Sequence, residues 1–138
     1  MCFFLGVVLL TLLAQPLDRW GIFMSKKCLH ILWINDNPVT AENMVFMYAT
    51  NSLLQGWWGE VHLILWGATV QLICEDVKLQ GLLKKFHDAG GHVSACRKCA
   101  ENLGLFEQLE TLEGVDEVFY IGEAFTKILK DDEKLITI

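Results

Sequence analysis

From residue 28 onward, short apolar runs alternate with segments of helix length, and this alternation constrains the fold more than any other feature. Residues 29–35 (LHILWIN) and 60–66 (EVHLILW) are nearly continuous apolar runs. That is the pattern of strands buried on both faces. Shorter runs follow at 92–96 (HVSAC), 115–121 (VDEVFYI) and 134–138 (KLITI). The intervening segments predict helices over 41–55, 68–76, 78–89, 97–112 and 123–131, with a break at Gly104. Asn35 to Thr40 (NDNPVT) is turn chemistry, with Pro38 and Thr40 as a helix-start signal. Strands alternating with helices predict βαβ units and a parallel sheet. Right-handed crossovers then place helices on both of its faces.

The 138 residues are a one-domain length. With 53% hydrophobic residues, 20% charged residues and two prolines, the chain is neither disordered nor collagen-like. A net charge of −6 argues against nucleic acid as a partner, because phosphate recognition needs a basic face. The mean hydropathy of +0.36 is high for a soluble protein. It calls for a membrane or signal segment, or for surface buried against partners.

Residues 1–23 stand apart. The run MCFFLGVVLLTLLA is shorter than the roughly 20 residues that span a bilayer. No Lys or Arg precedes it, and no clear A-x-A cleavage site follows. The favoured expectation is an extension that is not native, with the true start at Met24. A signal or anchor segment and an ordered extra segment are the alternatives. Residues 24–138 then form the domain, and no stable membrane insertion is expected. The predicted first helix is apolar on more than one face, and the Trp57-Trp58 pair follows it. A surface helix needs one apolar stripe. The excess predicts a subunit interface, against the alternative of a core helix in a greasy monomer.

Of the five cysteines, Cys28 and Cys74 read as buried thiols, and Cys2 lies in the N-terminal run. Cys96 and Cys99 differ. They lie in Ser94-Ala95-Cys96-Arg97-Lys98-Cys99, at the carboxyl end of a predicted strand and the start of a helix. Open α/β sheets collect ligands and active groups at that edge. The helix N-terminus, Arg97 and Lys98 all favour a thiolate, which makes Cys96 the leading candidate for a reactive group. Two ordinary buried thiols are the plain alternative. A zinc knuckle lacks two further ligands at a recognised spacing, so no metal is expected. A thioredoxin-type dithiol is weakened because both prolines, Pro16 and Pro38, lie upstream of the cysteines. A nucleophilic cysteine that accepts and passes on sulfur remains, with Cys99 as a secondary thiol.

His30 and His62 lie inside apolar strands and read as satisfied core or sheet-end histidines. His87 and His92 flank Gly90-Gly91, and either could stand near Cys96 and stabilise a thiolate. Asp36 and Asn37 follow the first strand at the same sheet edge as Cys96, as binding candidates or as plain turn and cap residues. No G-x-G-x-x-G, G-x-x-x-x-G-K-[ST] or G-x-S-x-G occurs, so no nucleotide cofactor and no serine nucleophile is expected.

The chain from Met24 to Ile138 resembles the DsrE/DsrF-like family of small sulfur-relay proteins, which includes the TusD-type subunits. The resemblance rests on LHILWINDNPVTAENMVFMYATNSLLQGWWGEVHLILWG, on GGHVSACRKCAENLG and on GEAFTKILKDDEKLITI. It implies a flavodoxin-like three-layer α/β/α fold with a five-stranded, mainly parallel sheet. It implies a cytoplasmic homo-oligomer, a trimer or hexamer, that meets sulfur donor and acceptor proteins and needs no cofactor. The family's persulfide-bearing cysteine matches Cys96, with Arg97 and Lys98 beside it. That suggests a sulfurtransferase-type carrier. A non-catalytic assembly subunit and a dithiol redox protein using Cys96 and Cys99 are the alternatives. Cys99 and the apolar N-terminus depart from the simplest family pattern.

Overall fold

The computed structural model describes residues 27–138. The expectations for residues 1–23 fall outside them. Strand β1 (Cys28–Trp33) leads into a helical stretch of three parts: α1 (Pro38–Thr40), a π-helical segment (Ala41–Phe46) and α2 (Met47–Leu54). Then follow β2 (Glu60–Leu65), α3 (Ala68–Glu75), α4 (Val77–Asp88), β3 (His92–Cys96), α5 (Arg97–Leu103) and α6 (Phe106–Glu110). The chain closes with β4 (Glu117–Phe119), α7 (Gly122–Lys130) and β5 (Lys134–Thr137).

The sheet has five strands in the order β4-β3-β2-β1-β5, and every pairing is parallel. This is the flavodoxin-like α/β architecture, with helices on both sides. The first three connections step across the sheet in one direction, and the last returns past β1. Right-handed crossovers therefore put the last helix, α7, on the opposite face from the others. Two aromatic pairs mark the faces. Trp33 meets Phe46 of the π-helical segment at a centroid distance of 5.4 Å. Trp66, of opposite parity, meets Phe125 of α7 at 5.3 Å.

Leu29, Ile31 and Trp33 of β1 stand level with Val61, Leu63 and Leu65 of β2, and all six are buried. On the second face, Leu32 and Ile64 are buried under α7's side of the sheet. Toward the strand starts that face carries His30, His62 and His92 instead. Sequence and structure differ at the first helix and the fourth strand. Asn37 accepts from Val39 N–H (2.9 Å) and Thr40 N–H (3.2 Å), so the first helix begins at Pro38, three residues early. The break expected at Gly104 is present: at φ +69° it ends α5 and splits the segment 97–112. The fourth strand keeps three residues of the expected seven, because the Asp116 carboxylate turns in to accept the Val93 N–H (2.7 Å).

Candidate functional site

Cys96 ends β3 and is the N-cap of α5, so one residue serves as the last sheet position and the first helix cap. Its Sγ accepts the Cys99 N–H at 3.3 Å. The Cys99 thiol lies 2.8 Å from it, sulfur to sulfur. Both thiols are free. The spacing C-x-x-C across a helix start creates this contact, since the cap residue and the third residue after it face each other. Cys96 is 4% exposed, whereas Cys99 is only partly buried.

The expected thiolate at Cys96 is not what this geometry gives. Burial, first, and the shared contact with the Cys99 thiol push the Cys96 thiol up to about 11. The N–H groups of Cys99 and Lys98 act in the opposite direction and are outweighed. Arg97 does not help, because it turns away from the sulfur. Its Nε donates to Glu101 Oε1 at 2.8 Å, and its guanidinium lies 4.7 Å from the Phe106 ring centre and 5.3 Å from that of Tyr120. The Tyr120 hydroxyl donates to the same Glu101 oxygen at 2.9 Å. The positive charge beside Cys96 is thus neutralised on the surface. Lys98 is exposed.

The other candidates scatter. Asp36 and Asn37 lie at the carboxyl edge, but they follow β1, and β2 stands between β1 and β3. Asn37 is occupied as a helix cap. Asp36 lines a shallow hollow of 170 Å³ with Ala68, Gln71, Leu72 and Glu75. His87 and His92 are at the wrong end of the sheet for Cys96. His92 starts β3 and Cys96 finishes it, about 13 Å away at roughly 3.3 Å per residue. His87 bonds to Asp116 Oδ1 at 2.8 Å, and His92 to Glu117 Oε1 at 2.8 Å.

The strand-start edge holds a feature that residue-by-residue reading misses. Cys28, His30, Glu60, Val61, His62, Gly90 and His92 line a cleft of 570 Å³. The signal was present, since three of the four histidines lie within the first three residues of successive strands. Parallel pairing brings strand starts to one edge. Burial, then Glu60 and Glu133, raise the Cys28 thiol above its ordinary value. Among the described residues no helix is long and apolar enough to cross a membrane.

No protein-family model matches the chain, and no curated protein does. Two solved structures are similar. The ychN protein from E. coli is 18% identical over 83% of this chain and all of its own, with a TM-score of 0.61, a likeness of fold. A conserved protein of unknown function from Bacteroides thetaiotaomicron, BT1422, is 39% identical over 81% of this chain and 95% of its own, with a TM-score of 0.78. At that identity and coverage, this chain belongs to the same family as the Bacteroides protein.

Proposed function

We propose that the protein is a small sulfur carrier of the DsrE/DsrF-like type, in which Cys99 admits a sulfane sulfur and Cys96 holds it. The observation that carries this reading is the 2.8 Å contact between the two sulfur atoms at the carboxyl end of β3. The more accessible thiol, Cys99, attacks the outer sulfur of a donor persulfide as thiolate. The donor leaves as a thiolate and Cys99 becomes a persulfide. Cys96 then takes the outer sulfur and gives its proton to the departing Cys99 thiolate. An acceptor thiolate on a partner protein attacks the same outer sulfur and releases Cys96. No step requires a metal or an organic cofactor.

The same contact supports a second reading, a dithiol redox protein. There Cys99 attacks an external disulfide and releases one thiol. Cys96 resolves the mixed disulfide and releases the second, and the protein keeps a Cys96–Cys99 disulfide. One experiment separates the two. The reduced protein is treated with a persulfide donor and its intact mass is followed, with Cys96→Ser and Cys99→Ser alongside. The carrier reading expects one added sulfur atom in the wild type, on Cys96. In Cys96→Ser the sulfur stays on Cys99, and in Cys99→Ser loading is at least tenfold slower. Loss of two hydrogens with no sulfur retained favours the redox reading. No change in any variant removes both.

Self-association as a trimer or hexamer belongs to the same proposal. Val39, Met44, Met47, Leu54 and Trp57 are exposed along the first helical stretch and the turn after it. Apolar side chains in such density fit a surface covered by a second copy. A monomer in sedimentation equilibrium would contradict it.

A further inference from the structure

His30, His62 and His92 stand side by side on the second sheet face, and the hydrogen bonds around two of them constrain where their protons sit. Glu133, just before β5, accepts from His30 Nε2 at 2.5 Å. A carboxylate only accepts, so that nitrogen carries a proton. Ser94 Oγ lies 3.1 Å from Glu117 Oε1 and 2.7 Å from His62 Nε2. The hydroxyl has one hydrogen; given to the carboxylate, the stronger acceptor, it leaves Ser94 to accept from His62. His62 Nε2 therefore also carries a proton. In neutral rings both Nδ1 atoms would be bare lone pairs, yet they are 3.0 Å apart. With both Nε2 atoms protonated, a further proton or a metal ion must lie between them.

A metal ion does not suit the geometry. The ring centres are 5.2 Å apart while the nitrogens are 3.0 Å apart. The difference is about two ring radii, so the nitrogens face each other head-on. Two metal ligands would instead converge on a point beside their joining line. Among the described residues no group of three or more His, Cys, Asp or Glu side chains is arranged for a metal. A head-on pair at this distance is the geometry of a linear N–H···N hydrogen bond.

We propose that His30 and His62 hold one extra proton between their Nδ1 atoms, forming a clasp across β1 and β2 that fits only the singly charged pair. With no extra proton two lone pairs oppose each other, and with two extra protons two N–H groups do. The charge is better placed on the His30 ring, whose far nitrogen faces a carboxylate, than on His62, whose far nitrogen faces a hydroxyl. Charged groups surround the pair on several sides. Glu133 faces it from the start of β5, Cys28 and Glu60 from the cleft, and His92, Asp116 and Glu117 from β3 and the start of β4. Burial, His92 and His30 together lower the pKa of His62 to about 4, against the pull of Glu117 and Asp116. The clasp completes a hydrogen-bonded line, Glu133–His30–His62–Ser94–Glu117–His92, that crosses β1 to β4 and reaches the residue before β5. The histidine cleft is thereby a proton-sensitive edge of the sheet, independent of the thiol pair.

Long-range proton–nitrogen NMR of the histidine rings in the full chain, followed against pH, tests this. Two separate one-proton steps are expected for the pair. Between them one ring shows two N–H groups, and the other shows a neutral Nε2–H tautomer with an accepting Nδ1. Glu133→Gln should move the upper step to lower pH by about one unit, while the exposed Glu123→Gln leaves it in place. Both rings neutral throughout, one of them as the Nδ1–H tautomer, would overturn the proposal. So would an upper step indifferent to Glu133→Gln.

Discussion

Alkylation of Cys96 at pH 7 should run about a hundredfold slower than that of a free cysteine, whose pKa is near 8.5. The Cys96 thiol is pushed up to about 11, by burial first and by Cys99 second. At neutral pH its thiolate fraction is smaller by between roughly two and three orders of magnitude, partly offset by the greater nucleophilicity of the more basic thiolate. Cys99, the more accessible of the two, reacts first. Cys99→Ser removes the smaller cause and leaves the larger, so Cys96 should remain slow in that variant. The check is an alkylation-rate profile against pH with peptide mapping. A Cys96 rate that levels off at pH 8.5 or below would show an activated thiolate and would discard the division of labour between the two thiols. A sulfur carrier built this way protects its cargo position. In the proposed carrier, the buried thiol is a poor target for stray oxidants and becomes useful only when a sulfur arrives on Cys99, whose Sγ lies 2.8 Å from it.

Acidification from pH 6.5 to 4 should cost the protein on the order of 3 kcal/mol through His62 alone. Each pH unit separating the folded and unfolded pKa values is worth about 1.4 kcal/mol. Burial is the first cause of the lowered pKa, with His92 and His30 adding to it. Above about 6.5 His62 is neutral in both folded and unfolded chains, and its own titration contributes nothing to pH dependence there. Below that value the unfolded chain takes up a proton that the folded one refuses. Stability therefore falls as pH falls, until the folded protein is itself protonated near 4. Urea unfolding at a series of pH values, wild type against His62→Gln, isolates this contribution from that of the carboxylates. The wild type should lose about 3 kcal/mol more than the variant across the window. Parallel curves would show that His62 is not held neutral by the fold.

The sequence carried the order of elements because apolar runs and glycine stops report directly on local structure. Cys96 could be placed at a strand end for the same reason. Its chemistry could not be read in the same way. Arg97 and Lys98 are adjacent in sequence, but a charge acts through the direction of its side chain, and Arg97 points to Glu101, Phe106 and Tyr120. Equally, His30, His62 and His92 looked like separate core or turn residues. Their alignment depends on the register His30↔His62↔His92, a property of strand pairing across more than sixty residues. Glu133 reaches His30 only because β5 lies beside β1, and no local pattern announces that neighbour.

That neighbour also has a consequence during synthesis. β1 is the first described strand to be made, and its outer edge is paired by residues 134–137. Beyond the strand, the Ile138 carbonyl accepts from Ile34 N–H (2.8 Å) and Asn35 N–H (3.1 Å), and Ile138 N–H donates to Leu32 (2.9 Å). Until those residues emerge, a nascent chain carries β1 as a bare apolar edge, open to pairing with another chain. Productive folding is thus tied to the emergence of residues 134–138, which alone pair that edge in the sheet order.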